Sequence, residues 1–280
     1  MTLHTKRLGA GPATIPSLGF GTFRMPGADV LDILPQALAI GYRHVDTAQI
    51  YGNEAEVGQA IEGSNVPRQE IFLTTKVWVD HYRTGDLQKS VETSLQKLRT
   101  DHVDLLLLHW PNPKVPFNET IQALNAVQRA GMARHIGVSN LNTTQMAEAA
   151  RLSAAPLVTN QVEYHPYLNQ DRLLQAAHAA NMTVTAYYGL ADGTVVNDPL
   201  LRAIGERHGK SAVQVTLRWL VQQPSVVALT KTVQPARALS NFDIFDFELS
   251  ADEMAAVHAL TARHQRFVRP DGLAPEWDAA

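Results

Sequence analysis

The chain contains no cysteine. That excludes disulfide frameworks, thiolate nucleophiles and Cys-ligated metals. It also lacks a dominant charge. The 24 Lys and Arg stand against 27 Asp and Glu, a net charge of −3, so neither nucleic acid nor an anionic membrane is an expected partner. No apolar run approaches the ~18 residues needed to span a bilayer. Residues 1–8 hold a basic pair, Lys6 and Arg7, without the apolar stretch of a secretory signal. No internal repeat is visible. These absences predict a cytoplasmic protein with no membrane association. A Gly-rich dinucleotide fingerprint is missing too: GFGTFR at 19–24 lacks the third glycine and opens no immediate helix.

What is present is a rhythm. The 280 residues are 45% hydrophobic, enough for a large core. Short apolar or β-branched runs recur at 18–21, 44–48, 71–77, 103–109, 135–139, 158–163, 183–188 and 226–231. Most are continuous rather than alternating, as in parallel strands buried on both faces. Helical spacing separates them at 86–98, 120–130, 143–152 and 170–180. In the first of these, Leu87, Val91, Leu95 and Leu98 share one face. Eight such units predict an α/β fold, a (β/α)8 TIM barrel forming one domain over 1–280. A doubly wound open sheet is the competitor. Residues 5–7 and 14–16 around Gly9 and Gly11 read as a hairpin at the barrel bottom. Two further helices are expected at 211–223 and 250–262, the latter with a Ser250/Glu253 capping box. The Pro-rich, partly aromatic tail, 263–280, reads as a loop ordered over one barrel mouth or as disorder, with Phe267 and Trp277 favouring order.

In such a barrel, chemistry sits at the C-terminal strand ends. The second run ends at Asp46, five residues before Tyr51; the third ends near Lys76; the fourth runs into His109. Each has a plain alternative: a helix cap for Asp46, packing for Tyr51, a satisfied core histidine for His109. Lys76 is harder to dismiss, because a lysine ending an apolar strand has to be paired or neutralised. Together the four suit proton transfer to a carbonyl oxygen. A phenol with a reference pKa of ~10 is a poor acid near neutrality, and a nearby ammonium is expected to lower it. Asp46 would hold that ammonium, and neutral His109 would orient the substrate. No nucleophile and no metal-ligand cluster accompanies them.

GYRHVDTAQIYGNE at 41–54, LTTKVW at 73–78, LLHWP at 107–111, GVSN at 137–140 and NQVEYHP at 160–166 resemble, in order, the signature segments of the aldo-keto reductase superfamily. DTAQIY at 46–51, SLQKLRTD at 94–101 and GLAPEWD at 272–278 are similar to its prokaryotic 2,5-diketo-D-gluconate reductases, especially the B type. The resemblance implies a soluble, monomeric enzyme that reduces small-molecule carbonyl substrates with NADPH and binds no metal. It implies a catalytic tetrad of Asp46, Tyr51, Lys76 and His109, with Tyr51 the general acid. Gly21, Thr22 and Phe23 would border the cofactor. Ser139, Asn140 and Gln161 would hold its carboxamide, and Tyr187 would stack on its nicotinamide. Tyr188 and Leu190 would lie along its middle. Lys231, Thr232 and Arg237 would grip its 2′-phosphate, with Ser240 and Asn241 at the adenine. Phe23, Trp78, Trp110, Asn140 and residues of the C-terminal tail after Arg263 would line the substrate pocket, the tail shaping substrate choice. Diketogluconate, methylglyoxal-like dicarbonyls and bulkier ketones all remain open as substrates.

Three departures from the family text stand out. YYGL at 187–190 replaces the usual Tyr-Ser-Pro-Leu or Tyr-Gly-Pro-Leu. Leu229-Thr230 replaces Ile-Pro before Lys231. Ser240 replaces an acidic or amide side chain. They fall in the segments that shape the cofactor loop and set cofactor selectivity in the family. Two other function classes stay open on the residues alone. One is a regulatory binding module, as in the potassium-channel β subunits on this fold. The other is a Schiff-base lyase, for which Lys76 would have to be neutral.

Overall fold

A computed structural model describes residues 3–279; the first two positions of the N-terminal reading and the last residue of the tail lie outside it. A short antiparallel hairpin, β1 (Thr5–Arg7) and β2 (Thr14–Pro16), precedes the repeating units. Then follow β3 (Leu18–Gly21), α1 (Gly27–Ile40), β4 (His44–Asp46), α2 (Glu54–Glu62), β5 (Phe72–Val77) and α3 (Asp86–Leu98). The middle of the chain gives β6 (Val103–Leu108), α4 (Phe117–Arg129), β7 (Ala133–Ser139), α5 (Thr143–Leu152), β8 (Leu157–Glu163) and α6 (Asp171–Ala179). The last part gives β9 (Thr183–Tyr187), α7 (Pro199–His208), α8 (Ala212–Gln222), β10 (Val226–Thr230), α9 (Pro235–Phe242) and α10 (Ala251–Ala259). Strands β3 to β10 close in the order β10-β3-β4-β5-β6-β7-β8-β9, all parallel. The barrel expected from the apolar runs is therefore present, and the open sheet is not. No helix among the described residues is long and apolar enough to cross a membrane.

The continuous apolar runs reflect burial on both strand faces. In β6, Leu106 and Leu108 join the large core under the helices, while Leu105 and Leu107 point into the barrel. There they meet Leu8 and Ile15 of the hairpin, together with Val158 and Val227. The hairpin thus plugs the barrel bottom with two apolar side chains, as expected. Higher in the barrel Gly19 is required by its neighbour: a Cβ there would lie 2.5 Å from His44 Nδ1.

Helix starts carry their own signals. Asn142, Ser211 and Ser250 each close a capping box at the head of α5, α8 and α10. The two helices beyond the barrel's repeat are distributed differently from the sequence expectation. The segment expected at 211–223 is α8, which packs on β10 and α9 within the helical ring, and the added helices are α7 and α10, which pack on each other. Apolar periodicity did not single out α7, because it begins with Pro199 behind an Asp198 cap and buries only Leu201, Ile204 and Gly205.

Candidate active site

The four expected rim residues come together at the C-terminal mouth. Asp46 ends β4, Lys76 lies in β5, and His109 follows β6. Tyr51 is delivered by a one-turn helix, Gln49–Tyr51, which Gly52 closes at φ 70 with its N–H on the Gln49 carbonyl. That left-handed position favours glycine. Lys76 is fully buried, and its Nζ donates to Asp46 Oδ1 at 2.5 Å, the Thr47 carbonyl at 3.0 Å and the Tyr51 hydroxyl at 3.4 Å. Three N–H donors meet three acceptors, the full complement of an ammonium. A buried, fully engaged ammonium cannot serve as a Schiff-base amine, so that reading loses its premise. The Tyr51 ring lies 5.7 Å from His109 and 5.0 Å from Phe23, and Trp78 lies 5.4 Å from His109.

The electrostatics differ from the sequence expectation in one respect. Burial, and then the Asp46 carboxylate, hold the Tyr51 phenol well above its ordinary range. Burial pushes Lys76 itself down while Asp46 pulls it back up, and the Lys76 ammonium, 3.4 Å from the phenol oxygen, opposes the rise of Tyr51 without reversing it. Tyr51 therefore keeps its proton at neutral pH. Lys76 acts on the phenolate only as negative charge appears on the oxygen. Burial, then Lys76, push His109 well below its usual value, so its imidazole is neutral. His44, beneath Asp46, is pushed down to about 4 by burial.

Two sequence neighbours, passed over as motif text, position this set. Asn53 is a weld: its Nδ2 donates to the carbonyls of Thr22 at 2.9 Å and Met25 at 3.1 Å, while its Oδ1 accepts from Thr47 at 2.9 Å. It ties the loop carrying Tyr51 to the loop carrying Thr22 and Phe23. Gln49 accepts the Trp78 backbone N–H at 2.8 Å and donates to Ser90 and Ser94 of α3, fixing the Trp78 end of β5.

The residues expected to hold a nicotinamide cofactor also converge. Gln161 Nε2 donates to Asp46 Oδ2 at 2.8 Å, and Ser139 Oγ donates to the Gln161 carbonyl at 2.7 Å. Asn140, in the left-handed region at φ 60, donates from Nδ2 to the His109 carbonyl at 2.9 Å and accepts the Tyr187 hydroxyl at 2.7 Å. Gly21 ends β3, and Thr22 is buried with its Oγ1 on the Asp46 carbonyl at 3.2 Å. Lys231 follows β10, and Thr232 Oγ1 accepts the Gln234 N–H at 3.0 Å. Arg237 and Ser240 stand exposed on α9, while Asn241 is buried with its Nδ2 on Thr230 Oγ1 at 2.9 Å. Among the described residues Lys231 and Arg237 form no ion pair, which leaves two free cations and a hydroxyl beside a helix start, a donor set that fits a phosphate dianion.

The segment at 187–190 that departs from the family text leads into a run of left-handed residues. Tyr188 is left-handed at φ 60, and Ala191, Asp192 and Gly193 follow with positive φ. The loop turns Asp192 and the Tyr188 phenol toward Arg24, with Lys231 near by. Arg24 and Asp192 were not legible as site residues: each sits in a loop where a charge reads as solvated. Leu190 is the N-cap of the short helix Ala191–Asn197 that follows. Of the expected pocket residues, Phe23 is 43% exposed and Trp78 half-buried, whereas Trp110 is packed in the core at 6% and Asn140 is buried at 1%. Phe23 and Trp78 thus supply the open aromatic surface. The tail is ordered: Phe267 lies 5.3 Å from His165 and 6.0 Å from Tyr188, and Arg266 stacks 3.7 Å over Trp277.

Comparison with known proteins places this geometry in a setting. The aldo/keto reductase family pattern matches residues 17–262. Methylglyoxal reductase DkgB of Salmonella typhi is 42% identical over 268 residues, covering 95% of this chain and 100% of that protein. The crystal structure of a candidate 2,5-diketo-D-gluconic acid reductase B superposes with TM-score 0.97 at 62% identity, covering 99% of this chain and 98% of that one. An aldo-keto reductase solved with NADPH superposes with TM-score 0.91 at 32% identity, covering 100% of this chain and 95% of that one.

Proposed function

The chain belongs to the aldo/keto reductase family and is an oxidoreductase acting on carbonyl compounds; from that premise we propose that it reduces aldehydes and ketones to alcohols with NADPH, Tyr51 donating the proton. The observation that carries this reading is the buried Asp46–Lys76 pair at 2.5 Å with the Tyr51 hydroxyl 3.4 Å from the same ammonium. NADPH, when bound, supplies the hydride to the carbonyl carbon. Ser139, Asn140 and Gln161 would hold its carboxamide, Tyr187 would face its ring, and Lys231, Thr232 and Arg237 would take its 2′-phosphate.

The protein's own part is a proton transfer. As charge develops on the carbonyl oxygen, the Tyr51 O–H bond breaks toward it, and the phenolate left behind is stabilised by Lys76. Asp46 keeps Lys76 protonated and immobile. Neutral His109 donates a hydrogen bond to the same oxygen and sets the carbonyl's angle. Solvent then returns a proton to Tyr51. Phe23 and Trp78 form an apolar wall that suits small dicarbonyls of the diketogluconate or methylglyoxal kind as well as bulkier ketones. A panel of carbonyl compounds assayed by NADPH consumption tests the reading. Turnover of dicarbonyls supports it, and no turnover of any aldehyde or ketone would refute it.

A further inference from the structure

The C-terminal tail hangs on one carboxylate that the reaction does not use. Glu163, the last residue of β8, is fully buried. It shares a strand face with Gln161, two residues earlier, so it stands at the mouth directly above the carboxamide-holding layer. Its Oε1 accepts the backbone N–H of Phe267 at 2.7 Å, and its Oε2 accepts that of Val268 at 2.9 Å. His165 Nε2 adds a third bond at 3.1 Å. The other nitrogen of that ring, Nδ1, accepts the Tyr167 N–H at 3.2 Å, which assigns the neutral Nε2–H tautomer. Gln170 holds the Glu163 main chain through a 2.8 Å bond to its carbonyl. Arg266, its side chain buried, forms an ion pair with Glu163 at 3.8 Å without a hydrogen bond, so it balances the charge while the tail amides take the oxygens. The tail is tied a second time further on, where Asp278 accepts from Thr143 N at 3.0 Å and Thr143 Oγ1 at 2.7 Å at the head of α5.

A buried carboxylate is costly unless its oxygens are satisfied, and this one is satisfied chiefly by two consecutive amides of a loop. Charge-assisted bonds of that kind are short and directional. They fix the backbone on both sides of Phe267, whose ring is not a core side chain at 43% exposure. That ring is set against Tyr188, which faces Arg24 and Asp192. We propose that Glu163 is a positioning residue for substrate selection: a two-amide latch that holds the tail over the mouth and so fixes the outer wall of the pocket. The inference rests on the carbonyl-reductase reading for what the pocket admits, but the latch itself does not depend on turnover.

The test is amide hydrogen exchange at Phe267 and Val268 in the full-length protein, paired with KM and kcat for one small and one bulky carbonyl substrate. Glu163→Gln keeps one acceptor and turns an NH2 group against the other amide. Protection of that pair should fall by about tenfold or more, the usual scale for losing a charge-assisted bond. KM for the bulky substrate should shift and the substrate ranking should change, with kcat for the small substrate held. Val268→Pro removes one of the donors while leaving Glu163 in place and should reproduce the ranking change. Amides that exchange freely in the wild type, unchanged protection in Glu163→Gln, an unchanged ranking in both variants, or an equal loss of kcat for both substrates would each overturn the proposal. Should Glu163→Gln not fold, the wild-type exchange and Val268→Pro decide it. An inactive wild type with protected amides would instead refute the reductase reading while sparing the latch.

Discussion

Gln161 donates to one oxygen of Asp46 at 2.8 Å while Lys76 donates to the other at 2.5 Å. A carboxylate accepts only, so the amide nitrogen of Gln161 must face Asp46 and its carbonyl oxygen must face away. The proposed cofactor-holding strand is therefore keyed to the proton-transfer set through a single side chain, and its free oxygen is an acceptor of the kind a primary carboxamide needs. Gln161→Leu removes that acceptor together with the bond to Asp46. NADPH affinity, read by quenching of protein fluorescence, should fall about fivefold to tenfold, the cost of losing a hydrogen bond between neutral groups. Unchanged affinity would disconnect Gln161 from the cofactor.

Lys231 and Arg237 have no carboxylate partner among the described residues, which is why a phosphate is assigned to them. Arg237→Ala should weaken NADPH by about ten- to a hundredfold and NADH by far less, on the scale of a bond between guanidinium and phosphate. Comparing dissociation constants of both cofactors for wild type and variant checks this. A wild type that binds both equally would contradict it.

The Asp46–Lys76 pair is fully buried, so removing one partner strands a charge. Lys76→Met should cost stability on the order of 3 kcal/mol or more, whereas Asp46→Asn combined with Lys76→Met should recover much of the loss. Urea unfolding of the wild type, the two single variants and the double variant measures the coupling. Losses that simply add would contradict a direct pair.

His44 gives a pH signature independent of catalysis. In the unfolded chain its imidazole takes up a proton near the ordinary histidine value of 6.5, but in the fold burial holds it down to about 4. Between those values the unfolded state binds more protons, so stability should fall as pH drops from about 6.5 to about 4 and level off below. The difference corresponds to about 3 kcal/mol. Unfolding curves across that window should flatten in His44→Gln. An equally steep fall in the variant would assign the proton uptake elsewhere.

The barrel and the meeting of Asp46, Tyr51, Lys76 and His109 at one rim were legible because they break a background. Asp46, Lys76 and His109 each interrupt or end an apolar strand, where a charged or titratable side chain has no ordinary reason to be. Arg24, Asp192, Asn53, Gln49 and Glu163 were not legible as site residues. A polar residue in a loop, or at a strand end within a familiar motif, looks solvated until the fold shows what it touches. One of the two added helices was misplaced for a related reason; the other, expected at 250–262, is α10. α7 opens on a proline and buries little, so its period is weak, while α8 is buried on most of its surface and looked like the addition. The net rise of the Tyr51 phenol was not legible, because the sequence gives the charge of Lys76 but not the depth of the site or the reach of Asp46.

Everything proposed for the reaction turns on the Tyr51 proton. Tyr51→Phe keeps the ring and removes the hydroxyl, so folding and NADPH affinity should be retained. Steady-state kcat/KM on one good carbonyl substrate should fall by about 10²–10⁴, the contribution of a general acid. Lys76→Met should be comparably damaging, and the double variant should be little worse than either single one, since both act on one proton transfer. A Tyr51→Phe enzyme that kept more than about a tenth of wild-type kcat/KM, far above what loss of a general acid allows, would contradict the assignment and move the donor role to His109.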